Sequence, residues 1–569
     1  MTRSIPTLPS PASSHPSRAA ISPSFIDRSF ETGSIDATMS QEQRPRSVAG
    51  AATSVSTATM VSRVLGVMRE MVMARYFGAG LFTDAFNIAY RIPNLLRDLF
   101  AEGALSAAFV PTFIRLLTQE GKEAAWRLAN LVMNALAVVL GGVTLVIYFG
   151  AKGFVYLLAA DFARQPAKFA ITVEMTRIMS PFLLFVALAA VAMGMLNAFG
   201  SFFVPAVSPS VFNVASILAG IFLSPVMPRF GLDPIVSMAV GATVGGAGQF
   251  LAQLPTAYRF GYRYRFVLDL GDPALRRIGR LMLPAIIGLS ATQINITVDN
   301  QLAARYGDGP ISWLNYAFRL MQLPIGIFGV AVATATLASV SRHAASNDIE
   351  KLRATVASSL RLAACLTFPA TVGLVVFRRE IVRLLYQRGS FRAADTLETA
   401  GVLMFYAVAL FAYSAVKILV PTFYALGDTR TPVRTSVATV LAKIAINFAL
   451  IAPLQFRGLA LATAVASWLN FALLARALGR KTAVPWRWTD LTAYLRIAGA
   501  SAVMGALSYA VFRAAQAVLP VRGTASLALD LGAAILCGAG VTLPLLRLAR
   551  VSEANELIAL LLRLARRGA

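Results

Sequence analysis

The sequence predicts an all-α polytopic membrane protein. About fourteen transmembrane helices form two six-helix lobes, related as parallel repeats around a central cationic cavity, with two extra helices at the C-terminal end. Three observations predict this. The 569 residues are 57% hydrophobic and only 14% charged, with a mean hydropathy of +0.66, whereas a soluble domain carries about a quarter charged residues. Apolar blocks of the roughly 20 residues needed to span a bilayer recur from end to end, and the short alternating strands of a β-barrel do not occur. Two short sequence echoes relate the halves of the chain.

Run length, punctuated by Gly, Pro and charge, places spans at 50–76, 83–110, 126–150, 170–199, 203–224, 234–258 and 281–306. Further spans follow at 311–341, 358–377, 398–426, 433–453, 457–478, 491–517 and 525–547. An even number puts both termini on one side. Loops 115–127, 258–280, 342–353 and 476–488 are rich in Lys and Arg, while 306–310 ("YGDGP") has neither. Basic loops collect on the cytoplasmic face, so both termini are expected there. The loop 377–392 ("FRREIVRLLYQRGSFR") is basic on the wrong side, as if facing an external anion or lipid headgroups.

The net charge of +25 lies mostly in these loops, which argues for a membrane bias and against nucleic acid as partner. Cys365 and Cys537 sit far apart in apolar stretches, and the two histidines, His15 and His343, share no neighbourhood, so no metal or disulfide framework is expected. Residues 1–49 are rich in Ser, Pro and Arg and read as a disordered cytoplasmic tail, with Met39 a candidate start. Residues 549–569 read as an amphipathic helix on the inner leaflet.

"ARYFGAG" (74–80) is echoed by "ARYGDG" (304–309), and "NAFGSFFVP" (197–205) by "YALGDTRTP" (424–432). Six spans lie between each pair, so the halves share one topology. This is the plan of transporters that rock two bundles about a central cavity. The expected units are 50–265, 266–488 and a final pair at 489–548.

The first two spans carry charges that cost a few kcal/mol each at the bilayer centre. At about 1.5 Å per residue, Arg63, Arg69 and Arg97 lie deep, as does Arg319 in "WLNYAFRLMQLP". Guanidiniums gathered in one chamber make a forked phosphate site that stays charged, so a polyanionic cargo is expected. Pairing of Arg69 with Glu70 and Arg97 with Asp98 is the plainer alternative. Arg91 has snorkelling to the headgroups as its alternative. Asp84 lies near the outer surface and Glu102 toward the cytoplasm. Lys417 and Lys443 either extend the cavity or bind a carbonyl, and Asp299 is either a cation or proton site or a partner for a nearby arginine. No G-x-x-x-x-G-K-[ST], H-E-x-x-H or G-x-S-x-G motif occurs, so no ATPase or hydrolase is expected.

"SRVLGVMRE", "RIPNLLRDLFAEGALSAAFVP", "YAFRLMQLPIGIFGVA" and "KILVPTFYALGDTRTPV" resemble the MurJ (MviN) lipid II flippases of the multidrug/oligosaccharidyl-lipid/polysaccharide exporter superfamily. The resemblance runs from about residue 50 to the end. It implies a flippase of the bacterial inner membrane that moves lipid II between leaflets for peptidoglycan synthesis, with the polyprenyl tail along the last two helices. It implies substrate-binding roles for Arg63, Arg69, Arg97 and Arg319, and important acidic roles for Asp84 and Glu102. No cofactor is implied, and coupling to membrane potential or an ion gradient is expected. Lipid II and membrane lipids are the expected partners, with cell-wall synthesis machinery a further candidate. The alternatives are another polyprenyl-diphosphate-linked oligosaccharide, or other cargo for an exporter of this plan. Phe318 and Gln322 stand where the family often has acidic residues.

Overall fold

The computed structural model describes residues 48–98, 105–482, 488–518, 523–555 and 557. The tail 1–47, Glu102 and most of 549–569 lie outside these residues. Every regular element described is helical. The first half comprises α1 (Val48–Phe77), α2 (Leu81–Arg97), α3 (Ser106–Gln119), α4 (Lys122–Leu158), α5 (Pro166–Met179), α6 (Phe182–Ala198), α7 (Phe203–Leu218), α8 (Val236–Leu251) and α9 (Leu254–Arg259). The second comprises α10 (Pro273–Ala304), α11 (Pro310–Pro324), α12 (Val330–Ala345), α13 (Ile349–Val376), α14 (Arg378–Tyr386), α15 (Ala393–Val408), α16 (Leu410–Ala425), α17 (Arg430–Leu454) and α18 (Arg457–Lys481). A final pair, α19 (Trp488–Val518) and α20 (Thr524–Leu548), follows.

Helices occupy the described part of all fourteen predicted stretches. Among the described residues, nine helices are long and apolar enough to cross a membrane, or ten if α15 and α16, bent by 41° at their junction, form one span. α1 and α10, of 30 and 32 residues, are long enough to span and are not among these nine. Prolines open α5, α10 and α11, where the missing N–H has no helical partner anyway. The Asp272 carboxylate caps α10 by accepting from the N–H groups of Ala274 and Leu275.

The echoes are equivalent in backbone geometry. Gly200 and Gly427 both adopt left-handed φ, +74° and +70°. The following residues, Ser201 and Asp428, each donate a backbone bond five residues back, to Leu196 and Phe423. This is one helix-ending motif used twice. Gly78 and Gly307 likewise have φ of +71° and +83°. Asp98 has π-helical backbone, and the π turn Ile325–Gly329 begins at the same Gly200-to-Gly427 spacing.

The basic segment expected to be a loop at 377–392 contains α14. Its Val382 and Tyr386 are buried, and Arg379 and Arg383 are exposed. Part of its charge is structural: Arg378 donates to the Val375 carbonyl at 2.6 Å and Arg388 to that of Leu384 at 2.9 Å.

Candidate functional site

Two interhelix turns meet at the seam between the halves. α1 ends and α2 begins at the turn 78–80; α10 ends and α11 begins at the turn 305–309. Asp84, one turn into α2, is wholly buried. It accepts from the Gly309 N–H (2.7 Å), the Ser312 N–H (2.9 Å) and the Ser312 hydroxyl (2.6 Å), so a carboxylate of the first half caps a helix of the second. Lys168 of α5, also wholly buried, reaches Asp84 at 3.2 Å and Asp308 at 2.8 Å. The Tyr316 hydroxyl donates to the Gly78 carbonyl at 3.1 Å, and the Ser390 N–H to that of Arg75 at 2.9 Å. Gln301 of α10 donates to the Leu157 carbonyl at the end of α4 at 2.5 Å and accepts from the Ala160 N–H at 3.0 Å. These bonds fasten one end of the seam. Beside them lies a cavity of about 580 Å³ lined by Tyr76, Phe77, Phe82, Asp308, Arg392 and Asp395; none of the predicted arginines lines it.

The four predicted arginines all reach the seam, in two groups. Arg69 is 2.6 Å from Glu70, and Arg319, eight to nine residues deep in its own span like Arg69, is 3.6 Å from the same carboxylate. Glu70 therefore joins the halves. Arg69 also lies over the Phe212 ring, 5.2 Å from its centroid. The Arg63 guanidinium lies against Gly326 in the π turn of the second half, in space that any side chain there would fill. In the second group, Arg97 is 2.8 Å from Asp98, Arg91 donates to Gln293 of α10, and Gln293 donates to Asp98 at 3.3 Å. The same-helix pairs expected from sequence exist, and a third partner from the opposite half completes each.

Elsewhere the picture differs from expectation. Asp299 is enclosed by Lys443 at 2.5 Å and Asn447 at 2.7 Å. Each oxygen thus has a donor, the arrangement of a structural pair rather than an open cation site, and Lys443 binds a carboxylate rather than a carbonyl. Lys417 is exposed on α16, and Glu102 lies outside the described residues. Phe318 turns from the seam to stack edge-on with Tyr406, 5.4 Å between centroids, while Gln322 is exposed. The sequence reading missed Lys168, Gln293, Ser312 and Gly326. Lys168 had one signal, a lone lysine at the start of an apolar run, hidden by placing that span at 170.

Two like halves of helices joined at a charged seam define a two-lobed membrane transporter. A multidrug-resistance MATE family transporter of the MOP superfamily, in an inward-facing conformation, shares the fold with a TM-score of 0.62 at 14% identity, over 76% of this chain and 98% of its own. The family profile described as "Lipid II flippase MurJ" matches residues 73–522, and the chain belongs to that family. It is 34% identical over 459 residues to the lipid II flippase MurJ of Burkholderia cenocepacia, covering 80% of this chain and 88% of that one. It is 35% identical to the probable lipid II flippase MurJ of Vibrio cholerae, covering 80% and 87%. A solved structure of a lipid II flippase MurJ in an inward closed conformation aligns with a TM-score of 0.72 at 27% identity, over 86% of this chain and 97% of its own.

Proposed function

We propose that this protein is a lipid II flippase of the bacterial inner membrane. It carries an undecaprenyl-diphosphate-linked muropeptide from the inner to the outer leaflet by alternating access. The observation that carries this reading is the placement of Arg63, Arg69, Arg97 and Arg319 along one seam between two like halves, in a chain of the MurJ family. Arg319 has a half-exposed side chain and Arg97 keeps 22% of its own, so both can turn from their carboxylates to a diphosphate. Arginine suits this because its planar fork binds phosphate bidentately and keeps its charge.

In this reading the fastened end of the seam is the outer gate. Asp84, Lys168, Asp308 and Ser312 hold it shut while the headgroup enters from the cytoplasm. Diphosphate drawn onto Arg69 and Arg319 competes with Glu70, which loosens the contact joining the halves and lets them rock. The polyprenyl tail stays in lipid along α19 and α20. The chain carries no ATPase motif, so the drive is membrane potential or an ion gradient; each charge crossing the field contributes about 2.3 kcal/mol per 100 mV.

The test is the leaflet accessibility of lipid II in cells depleted of their own flippase. The wild-type chain restores outward exposure, and Arg63→Ala, Arg69→Ala and Arg319→Ala do not. Restoration of a different polyprenyl-diphosphate oligosaccharide, with none of lipid II, would instead assign the cargo to that oligosaccharide.

A further inference from the structure

The segment joining the halves, residues 260–272, lies at the end of the bundle opposite the fastened seam. α4 and α10 both start at this end and finish at the fastened one, where Gln301 meets Leu157. The segment is extended and is held on α4 by a ladder of two asparagines one turn apart. Asn130 donates to the Arg263 carbonyl at 2.9 Å and accepts from the Tyr262 hydroxyl at 2.8 Å and the Arg265 N–H at 3.2 Å. Asn134 donates to the carbonyls of Arg265 (3.1 Å) and Val267 (3.0 Å) and accepts from the Tyr264 hydroxyl at 3.0 Å. Tyr262 is buried at the base of this ladder, and that burial holds its phenol well above the usual range.

Beyond these rungs the connector displays apolar groups at alternate positions. Phe266 is 73% exposed and Leu270 65%, with Leu268 also exposed between them. Before, within and after the segment, Arg259, Arg265, Arg277 and Arg280 are exposed, against one exposed carboxylate, Asp269, between the tips. Apolar tips at alternate positions, flanked in sequence by arginines, match the boundary of an anionic leaflet. There the tips enter the acyl region while the cations remain among the phosphates. A connector left in water would have no reason to be both pinned and apolar.

We propose that the connector is a membrane anchor that binds the anionic phospholipids of the leaflet at this end, tying the hinge between the halves to lipid charge. The inference is independent of which cargo is carried, since it concerns neither the seam nor its arginines.

The experiment labels Phe266→Cys, in a chain also carrying Cys365→Ser and Cys537→Ser, with an environment-sensitive fluorophore. The purified protein is placed in vesicles of phosphatidylcholine with or without phosphatidylglycerol. The expected result is a blue-shifted emission and several-fold protection from aqueous iodide only with phosphatidylglycerol, reversed by high salt. Both effects are lost in a variant combining Arg259→Gln, Arg265→Gln, Arg277→Gln and Arg280→Gln. Amide exchange across 262–270 in the unlabelled wild-type protein supplies a readout free of cysteine substitution, slowing with phosphatidylglycerol. Emission and exchange unaffected by lipid charge would overturn the proposal. So would protection seen only in native membranes, which would assign the face to a protein partner.

Discussion

Asp84 in the first half and Ser312 in the second are joined twice, through the serine backbone N–H at 2.9 Å and its hydroxyl at 2.6 Å. A buried carboxylate that caps the opposite helix can be satisfied only while this end is closed, which makes the pair a conformational lock. Asp84→Asn removes the charge that Lys168 faces at 3.2 Å. Lys168 keeps Asp308 at 2.8 Å, so the loss stays below the roughly 3–5 kcal/mol of leaving a buried charge with no partner. The expected outcome is loss of flipping with protein still in the membrane. The double variant with Lys168→Met should regain stability but not transport, measured by thermal unfolding alongside the leaflet assay.

Gly326 gives Arg63 its place. Even a methyl group at 326 occupies the volume of the guanidinium. Gly326→Ala should therefore lower flipping about as far as Arg63→Ala does, and the double variant should be no worse than either single one. Additive losses would show that the two residues act separately.

Glu70 pairs with both Arg69 and Arg319 across the seam. Glu70→Gln frees both guanidiniums, so equilibrium binding of the diphosphate lipid should tighten while turnover falls, because the competing carboxylate no longer helps release cargo. Binding and flipping measured on the same preparation should move in opposite directions.

Outside the membrane, the turn between α16 and α17 is set by Asp428. The Thr431 N–H at 3.0 Å, then the Lys481 ammonium and the Thr431 hydroxyl, each at 2.9 Å, hold its carboxyl well below the usual carboxylate range. A depressed folded pKa stabilises above the unfolded value of about 4 and is lost as pH falls toward the folded one. Intrinsic-rate-corrected protection of this turn should stay level from neutrality to about pH 4 and decline below it, whereas Asp428→Asn should be equally loose throughout.

The charges and the duplication were legible because both break the expected pattern of an apolar chain. A buried arginine has no place in a span without a partner or a task, and the A-x-G-x4-P echoes carry a left-handed glycine that the helix ending requires. Partners across the seam were not legible. Gln293 and Ser312 are ordinary polar residues in helices, and their role appears only when α10 and α11 lie beside α2. Gly326 stands in "PIGIFGVA", where nothing local marks it as the neighbour of an arginine. Asp299 looked isolated because Lys443, which neutralises it, lies far along the chain on α17. Local sequence reports the cost of a buried charge but not the address of its counterpart.

The account stands on the seam guanidiniums holding the diphosphate of a lipid-linked saccharide. Binding of purified protein to lipid II, compared with an undecaprenyl monophosphate and between wild type and the Arg63→Ala, Arg69→Ala, Arg319→Ala variant, tests this most directly. The account predicts preference for the diphosphate and at least tenfold weaker binding by the variant, about 1.4 kcal/mol or more. Equal affinity of variant and wild type for lipid II would contradict it.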